Sequence, residues 1–178
     1  MSHGEADSSH GMEMTMAQDI HVRPFSPEDL DAATRVFVQA FAGEPWYEDW
    51  PSDSARRRIA AIIHAPGFLG VAAFKERDLV GFIVGRIEAY STEDHFYLQE
   101  MCVLPEVQRQ GIGKLMLAHL HRRLRAAGCQ QIYLLTARES IAERFYRQNG
   151  FRPARRAGVL VARLPDKERA IDLPLAQD

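Results

Sequence analysis

Apolar residues along the chain follow two periods, and the switches between them mark the elements. Ile20–Phe25 reads as a short strand. Ser26-Pro27-Glu28-Asp29 then has the make-up of a helix start, with Ser as the cap, Pro at the first helical position and acids in the first turn. Leu30, Ala33, Val36, Phe37, Ala40 and Phe41 recur at helical spacing, so that helix runs to about Phe41 and breaks at Gly43-Glu44-Pro45. After a dense aromatic and acidic loop, Trp46-Tyr47-Glu48-Asp49-Trp50-Pro51, helical spacing returns from Ser52 to His64 through Ala55, Ile59, Ile62 and Ile63.

Pro66-Gly67 stops that second helix, and two apolar strands follow, Phe68–Phe74 and Leu79–Glu88, joined by the charged turn Lys75-Glu76-Arg77-Asp78. Phe96–Leu104 is a third strong strand, ended by Pro105. A helix from Ile112 to about Ala127 carries Ile112, Leu115, Met116, Leu120, Leu124 and Ala127 on one face, with Gly128 to close it. Gln131–Thr136 is a strand, Ser140-Ile141-Ala142-Glu143 opens a short helix as a capping box, and Gly150 ends it. Val159–Leu164 reads as a last strand, approached through Phe151 to about Arg155. Hairpins followed by a strand–helix–strand crossover predict an α/β domain, a mixed sheet covered by helices.

Composition narrows the function classes. The 178 residues are 46% apolar, enough for one sizeable core in one domain. With 24 acidic and 22 basic residues the formal charge is -2, so general nucleic-acid binding is not expected. Cys102 and Cys129 are the two cysteines, which implies no disulfide framework and fits a reducing compartment. There is neither an apolar run of membrane-spanning length nor a signal-peptide pattern, so no membrane association and a cytoplasmic location are expected. Residues 1–18 lack any apolar period and are expected to form a disordered tail; the folded domain is expected over 19–164, with 165–178 as a C-terminal tail. His3 and His10 lie in that first tail, and His119 and His121 face different directions on a helix, so no metal site is expected.

The chemistry concentrates in Val103-Leu104-Pro105-Glu106-Val107-Gln108-Arg109-Gln110-Gly111-Ile112-Gly113-Lys114. A strand ends at a proline and a short loop passes through two glycines into a helix. The first helical turn has N–H groups without internal partners and a positive dipole end, which suits an anion. Arg109 and Lys114 could add charge to phosphates. A P-loop is excluded because its first glycine is lacking and Leu115 follows Lys114; a dinucleotide fingerprint is excluded because Met116 stands at its third glycine.

Gln108, Gly111 and Gly113, set between a strand ending in Val-x-Pro and an amphipathic helix, resemble the coenzyme A motif of the GNAT acetyltransferases. Phe145-Tyr146-Arg147-Gln148-Asn149-Gly150-Phe151 resembles that family's second signature, and the likeness covers roughly residues 20–164. It implies a GNAT fold, a mixed and mostly antiparallel sheet flanked by helices and splayed between two central strands. It also implies an N-acetyltransferase that moves an acetyl group from acetyl-CoA to a primary amine of a small molecule or peptide by direct attack. The pantetheine arm would pair with the backbone of Met101, Cys102 and Val103. The pyrophosphate would rest on Arg109, Gln110, Gly111, Ile112, Gly113 and Lys114, with Gln108 orienting the loop. Tyr146 would protonate the departing thiolate, or else simply pack.

Glu100, a carboxylate among apolar neighbours, is a candidate base through water or a holder of the acceptor's ammonium; a salt bridge to Arg86 is the structural alternative. Strand alternation puts Tyr97 on the face opposite Glu100. Trp46, Tyr47 and Trp50, with Tyr90, are candidates to hold the amine, and the tryptophans could equally form a packed lid. The family often carries Asn where Glu139 stands, so the resemblance does not carry over that residue's frequent polar contact to the cofactor arm. Monomer and homodimer both fit. The competing functions are a non-catalytic acyl-CoA-binding regulatory module and a structural domain without cofactor.

Overall fold

The computed structural model describes residues 20–44, 46–155 and 157–162; the expected tails at 1–18 and 165–178 lie outside them. Five strands form one sheet in the order β1-β2-β3-β4-β5: β1 (Ile20–Pro24), β2 (Phe68–Lys75), β3 (Asp78–Glu88), β4 (Asp94–Val103) and β5 (Cys129–Leu134). The first four pair antiparallel, and β4 with β5 is parallel, as a crossover through a helix requires. The helices are α1 (Leu30–Ala42), α2 (Ser52–Ile63), α3 (Ile112–Ala126) and α4 (Ile141–Gln148). This is the α/β, mostly antiparallel sheet flanked by helices that the sequence implied.

Two apolar clusters hold the layers together. On one face Phe37 of α1 and Ile59 of α2 meet Phe82 and Val84 of β3. On the other, Met116, Leu117 and Leu120 of α3 meet Val71, Ile83 and Phe96. All but Leu117 are at most 1% exposed, and burying a side chain of this kind stabilises by about 1.5–3 kcal/mol. Thr34, also buried, gives its hydroxyl to the Leu30 carbonyl one turn back.

Local chemistry sets the element ends. Ser26 and Asp29 form a capping box, but it opens a 3-10 turn, Pro27–Asp29, and α1 proper starts at Leu30. Arg23 of β1 clamps Asp29 through two hydrogen bonds of 2.8 and 2.7 Å, which fixes the strand–helix corner. Gly128, at a φ of 79°, follows α3 as the expected left-handed terminator.

Three expectations are corrected. β5 begins at Cys129, two residues before the expected Gln131, and ends at Leu134. Residues 151–155 and 159–162 are not in strands; residues 163 and 164 lie outside the described residues. Apolar, β-branched character gives a segment the aptitude for a strand, but a strand also needs an edge to pair with. Val159 and Val161 are instead exposed. Among the described residues β5 has β4 as its one neighbour.

Candidate active site

β4 and β5 pair from Asp94 to Leu98, opposite Cys129 to Leu134, and then part. Residues 100–103 of β4 stay joined to β3 but present an open edge to the other side. The gap is part of a cleft of about 1060 Å³ running from the glycine loop to the α1–α2 connection. Met101, Cys102 and Val103 line it.

At one end of the cleft the chain turns through the 3-10 segment Pro105–Val107 into α3. The Gln108 amide donates to the Val103 carbonyl at 3.0 Å and so ties the loop to the end of β4. Gly111 sits at a φ of 82° with nothing within 4 Å of where a Cβ would be, so it combines a left-handed backbone with open space for a ligand. Arg109 also holds a positive φ, of 62°, which is uncommon for a non-glycine residue. Gly113 is needed for another reason: a Cβ there would lie 3.0 Å from both Met101 and Phe145. Gln108, Arg109, Ile112 and Lys114 line the cleft with both glycines, whereas Gln110 is not among the lining residues.

Tyr146 lies on α4, with its ring between those of Phe145 and Phe151, each centroid 5.4 Å away. It lines the cleft and is half-buried. Burial, with smaller contributions from Cys102 and Glu100, pushes its hydroxyl pKa well up, so the phenol keeps its proton. Ile141, the first residue of this helix, is 45% exposed on the cleft wall. Glu139 adopts a left-handed φ of 59°, gives its N–H to Glu143 and is not among the lining residues.

Glu100 is 5% exposed. Its partner is not Arg86 but Arg58 of α2, whose Nε donates to Oε1 at 2.6 Å. Arg86 is engaged by Glu88, which also accepts from the Tyr133 hydroxyl. Burial raises the Glu100 pKa; Arg58 opposes that and Glu48 adds to it. The expectation that Tyr97 and Glu100 face opposite ways fails because β4 carries a bulge. Val84 pairs with Glu100 and its neighbour Gly85 with Leu98, so Gln99 is an inserted residue and alternation inverts there. Phe96 and Leu98 belong to the α3 cluster, while Cys102 belongs to the α1–α2 cluster. Tyr97 therefore shares the Glu100 side and lines the same cleft.

At the end of the cleft beside the α1–α2 connection, Trp46 and Trp50 line the wall and also pack on Phe41 and Phe37. Trp50 donates its indole N–H to Glu48 at 2.6 Å, and Arg58 stands 5.7 Å from its ring. Tyr47 is 71% exposed and Tyr90 stacks on His95; neither is among the lining residues. Cys102 is fully buried and its thiol pKa is pushed up by burial, which disfavours a thiolate. Sequence reasoning missed Arg58, Gln99 and Arg144, all of which line the cleft. Arg58 is the last of three consecutive arginines, and nothing in that run says which of them turns inward.

The acetyltransferase (GNAT) family model matches residues 35–151 of this chain. The chain belongs to that family. Among curated proteins no significant match is found. Solved structures share the fold at low identity. One is the aminoglycoside N-acetyltransferase AAC(6')-Iy in complex with CoA, 20% identical with a TM-score of 0.64, covering 82% of this chain and 95% of that one. Another is the aminoglycoside acetyltransferase meta-AAC0020 from an uncultured soil metagenomic sample, 18% identical with a TM-score of 0.66, over 84% of this chain and 99% of that one. A third, named a possible acetyltransferase from Clostridium difficile 630, is 15% identical with a TM-score of 0.69, over 82% and 99%.

Proposed function

We propose that this protein moves an acetyl group from acetyl-CoA to a primary amine. One observation carries the reading. The left-handed Gly111, with open space beside it, leads into the N-terminus of α3 at the mouth of a cleft walled by the unpaired edge of β4. That arrangement offers N–H groups and a positive dipole end for phosphates, then a strand edge for an amide-bearing arm. Arg109, Lys114 and Arg144 add positive charge along the cleft lining. The CoA held by AAC(6')-Iy agrees with such a ligand.

The acceptor enters from the Trp46 and Trp50 side. Its neutral nitrogen attacks the thioester carbonyl; the C–N bond forms and the C–S bond breaks. Holding the reactants together supplies several kcal/mol, up to about 7–11 in the best cases. Tyr146, still protonated, gives its hydroxyl proton to the leaving sulfur. Glu100 takes the proton the nitrogen loses, through water, and its raised pKa suits a base better than an ordinary carboxylate does. The aminoglycoside acceptors named for the structural relatives fit the acidic Glu44 and Glu48 on this end of the cleft.

Tyr146→Phe tests the reading, because it keeps the ring and removes the proton. Turnover at saturating acetyl-CoA is expected to fall about 10²–10⁴-fold with acetyl-CoA affinity kept. A normal rate would leave Tyr146 as scaffold. Binding of acetyl-CoA without acetylation of any amine in a broad panel would favour the regulatory module.

A further inference from the structure

The three consecutive arginines of α2 do different things. Arg56 donates to Asp31 and Arg57 to Ser54, both in exposed pairs. Arg58 stands three residues after Ala55 and four before Ile62, both buried, so it sits at the edge of the stripe that α2 turns to the sheet. Its guanidinium crosses to the buried Glu100 of β4 and stays half-exposed itself.

The grip is lopsided. Nε and Nη2 both reach Oε1, at 2.6 and 2.5 Å. A guanidinium fork often takes both oxygens of a carboxylate side by side; here one oxygen is held and the other is spared. Oε2 takes no hydrogen bond from the described residues. It is not sealed off either: among those residues the buried, partnerless side-chain polar atom is Gln99 Oε1. Glu100 and Arg58 both line the cleft, so Oε2 is the oxygen left for what enters it.

Such a pair is weak as a staple, because one partner is half in water and two apolar side chains would join α2 to the sheet as well. Its charge matters more. Burial favours the protonated form of Glu100; Arg58 pulls toward the carboxylate, and Glu48 from the α1–α2 connection pushes back. Cys102 on β4 and Tyr146 on α4 also feel the Glu100 charge, and Val84, opposite it on β3, is apolar. Among these facing groups Arg58 is the cation.

We infer that Arg58 is a positioning residue for acetyl transfer: it holds Glu100 by Oε1 and leaves Oε2 ionised and open to the proton that the attacking nitrogen releases. This rests on the acetyl-transfer reading above. The proton passes through water to Oε2, an N–H bond breaking as an O–H bond forms, while Oε1 stays on Arg58. Without Arg58 the buried carboxyl keeps its own proton to higher pH and has no place for another.

Arg58→Gln and Arg58→Lys test it, with Glu100→Gln as reference. The Glu100 carboxyl is titrated by NMR in protein with isotope-labelled glutamate, its signal identified as the one absent from Glu100→Gln. Over the same pH range kcat/KM is measured with one accepted primary amine, whose own ionisation is identical in every arm. In Arg58→Gln the titration midpoint and the acidic limb of the rate are expected to rise together, by about 1–2 pH units. Arg58→Lys, which keeps the charge, should bring both back toward wild type. The apolar Arg58→Met serves in the same way should Arg58→Gln not fold. An unmoved midpoint in the neutral variant overturns the inference. So does a rate lowered equally at every pH, which would make Arg58 a structural tie. So does a midpoint that rises while the limb stays, or an Arg58→Lys no better than the neutral variant. If the wild type binds acetyl-CoA and acetylates no amine, the acetyl-transfer reading itself falls, and this inference with it, whatever the carboxyl titration shows.

Discussion

At the scale of single residues, Glu100 shows how far a sequence can be read. A carboxylate set among apolar strand positions announces itself, and the structure buries it. Its partner does not, because Arg58 lies 42 positions away on another element. The bulge is equally hidden, since alternation counted straight through β4 misplaces Tyr97. The one trace is on the facing strand: a Cβ on Gly85 would come within 2.1 Å of the Tyr97 carbonyl. Glu100 also links pH to stability. Burial raises its pKa in the folded protein, so the stability tied to its proton is fully present below the ordinary value of 4.5 and is lost as pH rises through the folded value. Glu100→Gln cannot lose that proton. The variant's Tm relative to wild type is therefore expected to climb between pH 4 and pH 7, by about 2–4 °C per kcal/mol. Parallel melts across that range check it, and a pH-independent difference would contradict the assignment.

At the scale of elements, periodicity located the helices and the β2–β3 hairpin, because their apolar faces are buried and their ends carry turn residues. It placed β5 two residues late because Cys129 and Gln130 carry little strand signal, although Cys129 is buried with its thiol 3.2 Å from the Asp94 carbonyl. The run Val159–Val161 has strand character and no partner strand among the described residues, a matter no local pattern records. The glycine loop was legible as a motif, but its two glycines serve different ends. Gly111 answers to a left-handed backbone with open space beside it, whereas Gly113 answers to packing against Met101 and Phe145. Gly111→Ala is expected to cost about 1–2 kcal/mol for the left-handed backbone. Gly111→Trp should in addition abolish acetyl-CoA binding, by filling the space the phosphates need. Calorimetry of the folded variant decides it, and wild-type affinity in Gly111→Trp would move the phosphate site elsewhere.

At the scale of the whole molecule, a formal charge of -2 hides an uneven distribution. Arg109, Lys114 and Arg144 line the same cleft as Glu44, Glu48 and Glu100. A field of that kind can orient an anionic cosubstrate and a cationic acceptor toward opposite ends, which the net charge alone could not suggest. The early end of the β4–β5 pairing has a further consequence, in time rather than in space. Beyond Leu98, β4 has a neighbour strand on one side and a gap on the other. Alternate amides of residues 99–103 therefore trade their hydrogens with solvent deuterium through fluctuations that need not unfold the domain. Adding acetyl-CoA should slow those amides, while the amides turned toward β3 keep the pace set by opening of the whole sheet. Residue-resolved deuterium uptake, with and without the nucleotide, would then trace the path of the ligand along the strand in rates alone.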